Sequence, residues 1–305
     1  MTGRIDVHHH PVSPGLLAEI RERAPGQHAL IDWSISRSLE DLERAGVAKA
    51  YLSVPPPGVW FGDARAARRL ARETNEYAAR LVREHPGRFG LLAALPLPDV
   101  EGSLAELAYA LDVLKADGVG LMTNAGGKWL GEPAYAPLMQ ELNRRRVVVY
   151  THPVAAPCCT GLMPAVPDHL VELATDTTRA IANLMLSGDL AAYRDIRFIF
   201  SHAGGTLPYI VERFTWYFGV RPELARLMPG GPVEELRRLY YDTANSANQY
   251  ALPCLLKLVS LSQVVLGSDF PFRTCEEHVR GLRTLGFGEA ELRAIETENA
   301  QRLFA

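Results

Sequence analysis

Histidine and aspartate side chains stand where several short apolar segments of the chain end. His8 and His10 close the first segment, His152 closes a later one, and Asp269 follows the last. Because side chains alternate along a strand, His8 and His10 project to the same face, and His9 projects elsewhere. Three imidazoles and one carboxylate form a ligand set suited to Zn²⁺, with room left for water. The sequence therefore predicts a catalytic metal site at His8, His10, His152 and Asp269.

A further histidine, His202, ends another apolar segment and is followed by a glycine-rich turn. An imidazole titrates near neutrality, and a carboxylic acid beside a metal can exchange a proton with bound water. We therefore expect His202 and Asp269 to be the catalytic acid-base groups. Taken singly, each histidine also fits a turn with a satisfied ring. Their joint placement at successive segment ends favours the metal site.

The elements that must position these groups follow a regular alternation. Apolar segments rich in Val, Ile, Leu and Tyr cover residues 4–8, 49–54, 89–95, 119–122, 147–151, 197–201, 239–241 and 264–267. Helical periodicity predicts helices over residues 39–45, 63–84, 104–115, 135–144, 170–186, 208–218, 251–260 and 289–303. Eight β-then-α units predict one (β/α)₈ TIM barrel domain over residues 1–305. A doubly wound open sheet is the alternative, but no G-x-G-x-x-G motif follows the first strand.

Composition narrows the class of partner. The net charge is -3 with no block of like charges, which argues against a nucleic-acid partner and favours a small molecule. The four cysteines form no CxxC pair, which indicates a reducing compartment. No apolar run reaches about 18 residues, the length that a membrane span requires. We therefore expect a cytoplasmic protein that makes no membrane contact.

These motifs resemble the amidohydrolase superfamily. The resemblance rests on the opening 6–10, on His152, on the segments 201–205 and 267–271, and on the Asn299-Ala300 pair. It spans almost the whole chain. Within the superfamily the chain is most similar to the aminocarboxymuconate-semialdehyde decarboxylase branch. Its segments 131–153 and 176–205 are most similar to the 6-methylsalicylate decarboxylases of that branch.

The resemblance implies a distorted (β/α)₈ barrel of the metal-dependent hydrolase type. It implies one divalent metal ion on the four predicted ligands, most often Zn²⁺ with Mn²⁺ as the alternative, and places His202 beside that ion. Relatives with two metals have a carbamylated lysine at the end of strand four, whereas this strand ends at Met122. Some aromatic-acid decarboxylases carry an acid three residues after the histidine that corresponds to His202, and this chain has Gly205 there.

The implied function is a metal-dependent, non-oxidative decarboxylase of an aromatic or conjugated carboxylic acid, either 6-methylsalicylate-like or aminocarboxymuconate-semialdehyde-like. The same ligands permit a hydrolase or hydratase acting on a lactone, an ester or a conjugated acid. An intact acid-base pair argues against a role as a non-enzymatic scaffold.

Several side chains near the strand ends are candidates for binding such a substrate. The ring contacts that we expect are Trp60, Trp129 and Phe272, and the substrate carboxylate would meet Arg37 or Arg273. Barrels of this group often self-associate. We therefore expect a homo-oligomer, with the aromatic segment 214–218 as one possible interface.

Overall fold

Ten strands are present in the computed structural model, which describes residues 3–305. They are β1 (Arg4–His9), β2 (Val47–Ser53), β3 (Phe89–Ala94), β4 (Gly118–Met122), β5 (Asn124–Ala125), β6 (Lys128–Trp129), β7 (Val148–His152), β8 (Arg197–Phe200), β9 (Tyr240–Asp242) and β10 (Val264–Val265). Strands β5 and β6 form an antiparallel hairpin, and the others form one parallel sheet in the order β1-β2-β3-β4-β7-β8-β9-β10. All eight predicted strands are therefore confirmed.

The sheet closes between β1 and the segment that follows β10. The N–H of Val7 donates to the carbonyl of Leu266 at 2.9 Å, and the N–H of His10 donates to the carbonyl of Phe270 at 2.8 Å. A parallel bridge pairs His9 with Phe270. These bonds make the sheet a nearly closed barrel, as predicted, and exclude the open-sheet alternative.

Helices cover the outer face of this barrel. They are α1 (Pro14–Arg23), α2 (His28–Ile31), α3 (Ile35–Arg44), α4 (Ala64–Glu84), α5 (Val100–Asp112), α6 (Ala136–Arg144), α7 (Asp168–Ser187), α8 (Asp189–Ala192), α9 (Leu207–Gly219), α10 (Pro232–Leu236), α11 (Ala251–Leu258), α12 (Cys275–Arg283), α13 (Glu289–Arg293) and α14 (Asn299–Leu303). Short 3₁₀ turns occupy Pro133–Tyr135, His202–Gly204, Pro222–Leu224 and Leu261–Gln263, and a π turn occupies Ala294–Glu298.

Every predicted helical segment contains a helix, but five helices and several boundaries were not predicted. The helices that were missed are α1, α2, α8, α10 and α12. Helix α3 begins earlier than expected because the Ser34 side chain accepts a hydrogen bond from the N–H of Arg37. The Asp63 carboxylate caps α4 in the same way, which fixes the start of that helix as predicted.

Apolar side chains fill the space on both sides of the sheet. Leu107, Leu142 and Leu184 are fully buried between the strands and the outer helices. Tyr150 and Ile199 belong to a second cluster on neighbouring strands β7 and β8. This packing holds the strand ends, and therefore the polar side chains on them, in a fixed arrangement. Among residues 3–305, no helix has the length and apolar character needed to cross a membrane.

Candidate metal centre

The four predicted ligands meet at the carboxyl end of the barrel, and all four are buried. His8 and His10 come from the end of β1, His152 is the last residue of β7, and Asp269 lies just after β10. The Nε2 atoms of His8, His10 and His152 lie 3.0, 3.4 and 3.5 Å from Asp269 Oδ1. One ligand atom from each of the four residues lies within 4.8 Å of the others. We call these residues the His/Asp cluster.

The second nitrogen of each ring in this cluster is held by an acceptor. His8 Nδ1 donates to Asp242 Oδ2 at 2.8 Å, and His10 Nδ1 donates to the carbonyl of Ser53 at 3.0 Å. His152 Nδ1 donates to the carbonyl of Pro153 at 2.8 Å. Because these acceptors carry no hydrogen, each Nδ1 must be protonated, which turns Nε2 toward the cluster. Outer contacts of this type fix the tautomer of metal-binding histidines.

The hydrogen bonding of two atoms in the cluster shows whether the cluster suits a cation. His152 Nε2 and Asp269 Oδ1 are buried and have no hydrogen-bond partner among the described residues. Buried polar atoms are nearly always satisfied, so orphaned lone pairs that converge on one point need a further partner. Three nitrogen donors and one carboxylate oxygen at this spacing suit a divalent metal ion. The cluster therefore fits a divalent metal.

Burial and mutual contact shift the titration of these groups. Burial alone would raise the pKa of Asp269, but the neighbouring histidines hold it well below the usual aspartate value. Burial lowers the pKa of His152 to about 3 and also lowers the pKa of His10. The pKa of His8 is raised to about 10, because Asp242 and Asp269 outweigh the effect of its burial. The carboxylate thus stays ionised, and His10 and His152 stay neutral, as metal ligands must be. His8 holds an additional proton, which it must release to bind a metal.

The second oxygen of Asp269 faces the acid-base candidate. His202 Nε2 lies 3.3 Å from Asp269 Oδ2, and the side-chain amide of Asn245 donates to the same oxygen at 2.8 Å. Asp269 therefore turns Oδ1 toward the three ligand histidines and Oδ2 toward His202. The structure brings His202 to the edge of the cluster, where the sequence placed it.

Unusual backbone conformations concentrate here. Positive φ angles of +55°, +54° and +66° are found at His202, Asn245 and Asp269, and Ala203 has the same conformation. Such angles are uncommon outside glycine and persist only where the surroundings enforce them. Hydrogen bonds from the N–H groups of His202 and Ala244 to Asp242 Oδ1, at 2.8 and 3.0 Å, contribute to that enforcement.

Two glycines allow close approaches at the site. A Cβ on Gly267 would lie 2.9 Å from Asp242 Cβ and 3.0 Å from His8 Cβ, so a side chain there would separate these two partners. A Cβ on Gly205 would lie 2.1 Å from the carbonyl oxygen of Ala174, and φ at Gly205 is +67°. This position therefore requires glycine. An acid three residues after His202 is excluded by the backbone as it is folded here.

A second polar cluster lies on the other side of β1 and comprises Asp6, His9, Ser38, Ser268 and Cys275. We call it the Asp6 network. His9 stacks on Phe270, with ring centroids 4.6 Å apart, as expected for a side chain that points away from His8. Its Nδ1 donates to Asp6 Oδ2 at 3.1 Å, and its Nε2 bonds Ser38 Oγ at 3.0 Å. Both ring nitrogens of His9 are therefore satisfied by protein groups.

An apolar cavity of about 310 Å³ opens beside the His/Asp cluster. Its lining residues lie at the carboxyl ends of β3 and β4 and in the segments that follow β2, β3, β4 and β7. They are Val54, Pro57, Gly58, Val59, Trp60, Phe61, Gly62, Ala94, Leu95, Leu97, Gly120, Leu121, Met122, Asn124, Ala125, Gly126, Val154, Ala155 and Pro157. Met122 is paired with His152 in the β4–β7 register, which places the cavity next to the cluster. The volume and the mostly apolar lining suit a small, mostly apolar molecule.

The predicted substrate residues occupy different environments. Trp60 lines the apolar cavity, and the Phe272 ring lies 6.1 Å from that of His10. The indole N–H of Trp129 donates to Asp176 at 2.8 Å. Arg37 is exposed, and its guanidinium donates to the carbonyl of Asp32 at 2.7 Å. Trp60 and Phe272 are therefore the better placed of the four, and substrate contact by any of them stays a prediction.

Sequence reasoning missed several residues that support the site. Asp242, the last residue of β9, holds His8 Nδ1 through Oδ2 and accepts backbone N–H groups through Oδ1. Asn245 was not identified. His278 is buried, and its Nε2 accepts the N–H of Asn245 at 2.8 Å. No spacing rule links these residues to the metal motif, because each acts through a fold-dependent contact.

Comparisons with known proteins agree with this geometry. The sequence profile of the family described as Amidohydrolase matches residues 5–305. The 6-methylsalicylic acid decarboxylase acuB of Aspergillus aculeatus is 35% identical, over 99% of this chain and 96% of that protein. A solved amidohydrolase II superposes with a TM-score of 0.91 at 25% identity, and the match covers 99% of both chains.

A solved dihydroxybenzoic acid decarboxylase from Polaromonas, which contains manganese and the inhibitor 2-nitroresorcinol, shares the fold. Its TM-score is 0.84 at 22% identity, over 100% of this chain and 97% of that chain. The resemblance inferred from the motifs is confirmed: the chain belongs to the amidohydrolase family, in the branch that includes the 6-methylsalicylic acid decarboxylases.

Proposed function

We propose that this protein is a metal-dependent, non-oxidative decarboxylase of a small aromatic carboxylic acid such as a 6-methylsalicylate-like hydroxybenzoate. The observation that carries the proposal is the position of the His/Asp cluster beside an apolar cavity, because Met122 of the cavity wall is paired with His152 of the cluster. The relative from Aspergillus aculeatus, a 6-methylsalicylic acid decarboxylase by name, supports this substrate class. The chain would act as one barrel domain.

The cavity binds and orients the ring. Val54, Val59 and Met122 are apolar and belong to one packed cluster with Phe272, so a benzene ring placed there loses contact with water. The carboxylate of the substrate then projects toward the His/Asp cluster. When bound, a divalent metal at His8, His10, His152 and Asp269 supplies the positive charge that orients this carboxylate and stabilises developing negative charge.

Loss of CO₂ leaves a ring carbon that must gain a proton. His202 Nε2 and Asp269 Oδ2 are 3.3 Å apart at the edge of the cluster, so a proton held between them can pass to that carbon. Asn245 holds Asp269 Oδ2 in place through its side-chain amide. We assign His202 as the proton donor and Asp269 as its partner.

The metal that we propose is Zn²⁺, because three imidazoles and one carboxylate are typical of catalytic zinc sites. Mn²⁺ is the second candidate, since oxygen ligands suit it and the Polaromonas protein of the same fold contains manganese. Metal analysis of protein purified without added metal, followed by reloading with each ion, distinguishes the two. The ion that restores the higher kcat at equal occupancy is the functional one.

We further propose a cytoplasmic homo-oligomer. The four cysteines are unpaired thiols, which suits a reducing compartment. Trp216, Tyr217 and Tyr209 are exposed on α9, and burial of such aromatic side chains is a common feature of subunit interfaces. A Trp216→Asp variant should shift the mass measured by light scattering toward the monomer. An unchanged mass would place the interface elsewhere.

Decarboxylation is tested by measuring the release of CO₂ and the incorporation of solvent deuterium into the product. The metal-loaded enzyme is incubated in D₂O with 6-methylsalicylate and related hydroxybenzoates, and CO₂ and the phenolic product are measured. We expect CO₂ release together with a deuterium atom at the carbon that lost the carboxylate. The hydrolase or hydratase alternative instead predicts no CO₂ and, in H₂¹⁸O, the incorporation of heavy oxygen into the product.

Matched variants connect this reaction to the site. His202→Asn should retain the metal and lose CO₂ release, whereas His169→Asn replaces an exposed histidine and should behave like the parent protein. Full activity of His202→Asn would contradict the assignment of the proton donor. Water addition without CO₂ release, from any of the acids tested, would contradict the decarboxylase proposal itself.

A further inference from the structure

Two adjacent thiols lie in the loop between β7 and α7, outside the His/Asp cluster. Cys158 is exposed, Cys159 is half-buried, and both are free. Their Sγ atoms are 2.8 Å apart. Hydrogen bonding to Cys158 raises the pKa of Cys159, which leaves the exposed Cys158 as the sulfur that first meets a reagent from solvent. Solvent can therefore reach the pair, and the two sulfur atoms are close enough to bond to each other.

The same loop forms one wall of the apolar cavity. The backbone N–H groups of Cys159 and Thr160 both donate to the carbonyl of Ala156, at 2.9 and 3.1 Å, and close a tight turn. Ala156 is buried, and its neighbours Ala155 and Pro157 line the cavity. Cys158 thus directly follows a residue of the cavity wall. A change in the backbone of this turn therefore also moves residues that line the cavity.

We propose that Cys158 and Cys159 are a modification site, a dithiol whose reversible oxidation by a peroxide reshapes the apolar cavity. Hydrogen peroxide converts the Cys158 thiol to a sulfenic acid, with breakage of the O–O bond and release of one water molecule. The Cys159 thiol then attacks the sulfur of that sulfenic acid, forms the S–S bond and releases a second water molecule. The two thiols together supply the two electrons and two hydrogens that the peroxide takes up.

Closure of this bond must move the backbone. Neighbouring Cα atoms lie about 3.8 Å apart across a trans peptide, whereas ordinary disulfides span about 4.4 to 6.8 Å between Cα atoms. Joining the sulfurs therefore distorts the Cys158–Cys159 peptide, whose N–H donates to the Ala156 carbonyl. We expect this hydrogen bond to break and Pro157 to shift with the turn. A disulfide that distorts its backbone and lies at the surface is readily reduced, so a dithiol reductant should restore the wall.

Peptide mass tests the modification independently of the proposed decarboxylation. Trypsin releases residues 147–179, between Arg146 and Arg179, and this peptide contains both thiols and no other cysteine. After brief exposure of the metal-loaded protein to hydrogen peroxide, we expect the unreduced peptide to be lighter by about 2 Da and to return to its first mass with dithiothreitol. Oxidation of Met163 in the same peptide adds about 16 Da and is distinguished by that mass.

Kinetics test the link to the cavity. Oxidised protein should lose roughly 10-fold in kcat/KM for the aromatic acid and recover with dithiothreitol, since small displacements near bound substrate have effects of this size or greater. Cys158→Ser and Cys159→Ser should keep parental activity before and after peroxide. Cys254→Ser, which replaces a half-buried thiol on α11, should respond like the parent protein.

Three results would overturn the proposal. In the first, both cysteines of peptide 147–179 stay reduced after exposure to peroxide. In the second, one of these cysteines is oxidised irreversibly to a sulfinic acid and no disulfide forms. The third is a disulfide that forms and leaves kcat/KM unchanged, because the loop would then not control the cavity. The first two outcomes are read from mass alone, so they stand whether or not the protein is a decarboxylase.

Discussion

Two clusters of potential metal ligands flank strand β1, and they differ in how their lone pairs are used. The His/Asp cluster has four residues with donor atoms that converge, and two of those atoms have no protein partner among the described residues. Asp6, His9 and Cys275 also lie close enough together to hold an ion. In this second group, however, the lone pairs already accept hydrogen bonds. Residue types and proximity are thus insufficient to define a metal site, and unsatisfied lone pairs are needed as well.

The carboxylate of Asp6 illustrates the difference. Its Oδ1 accepts the backbone N–H groups of His8 and Ser268, each at 3.0 Å. Its Oδ2 accepts from Ser268 Oγ at 2.6 Å, from His9 Nδ1 at 3.1 Å and from Cys275 Sγ at 3.4 Å. A cation at this position would have to displace several of these donors. The Asp6 network therefore joins β1 to the loop that carries Asp269, and the His/Asp cluster is left to bind the ion.

Loss of one ligand should produce the largest effect. In His152→Ala the remaining ligands are two imidazoles and one carboxylate. We expect decarboxylation to fall by at least about 100-fold, because even changes in groups that merely orient ligands cost 10- to 100-fold. Metal content by mass spectrometry should fall together with activity. The control is His169→Ala at the surface, and a His152→Ala protein that is metal-free yet fully active would remove the metal site from the mechanism.

Loss of a contact that orients a ligand should come next. Asp242→Asn weakens the acceptor that holds His8 Nδ1 at 2.8 Å. Metal affinity should fall by roughly 10- to 100-fold, as measured by competition with a chelator. Excess metal should restore most of the activity, because the ligands themselves remain. Asp32→Asn, at an exposed aspartate, is the matched control, and parental metal affinity in Asp242→Asn would show that His8 needs no such partner.

Asn245 gives a smaller and more selective effect. Its amide nitrogen donates to the oxygen of Asp269 that faces His202, and its amide oxygen accepts from Arg273 Nη1 at 3.2 Å. Neither contact involves Asp269 Oδ1, so Asn245→Ala should retain the metal. We expect kcat to fall by roughly 10-fold with little change in KM, in line with the contribution of one positioned hydrogen bond to a charged group. Steady-state kinetics and metal analysis measure this together. If metal is lost in parallel with kcat, Asn245 acts on the structure of the cluster rather than on proton transfer.

The sequence predicted the strands and the ligands for one physical reason and missed their supports for another. Parallel strands bring their carboxyl ends to one edge of the barrel, so His8, His152 and Asp269 could be grouped without knowledge of the contacts between them. Asn245 instead acts through its side-chain amide, and His278 acts through one hydrogen bond to the backbone N–H of Asn245, a residue with positive φ. Such a contact depends on loop geometry, and no periodicity in the sequence encodes it.

The same limit applies to Asp6. Regular alternation places it on the inward face with His8, one layer deeper, and separates it from His9. An irregularity in the β1–β2 register between Asp6 and His9 instead brings those two side chains into contact. The missed helices α1 and α12 have a related cause. Short loops and capping residues, rather than a long apolar stripe, determine where these helices begin.

A change in the Asp6 network should affect stability rather than metal binding, which is the smallest expected effect on activity. His9→Gln removes the ring that stacks on Phe270 and disturbs the hydrogen bonds to Asp6 and Ser38. The free energy of unfolding should fall by about 1 to 3 kcal/mol, since buried polar partners lose hydrogen bonds. Urea unfolding measures this, while metal content and kcat should stay within roughly twofold of the parent, since Asp6 keeps the hydrogen bonds from the His8 and Ser268 N–H groups that join β1 to the Asp269 loop. The alternation of β1 gives the reason, because His9 and His8 point to opposite faces and only His8 carries an Nε2 directed into the cluster. A His9→Gln protein that loses its metal at unchanged stability would mean that the two clusters are not separate.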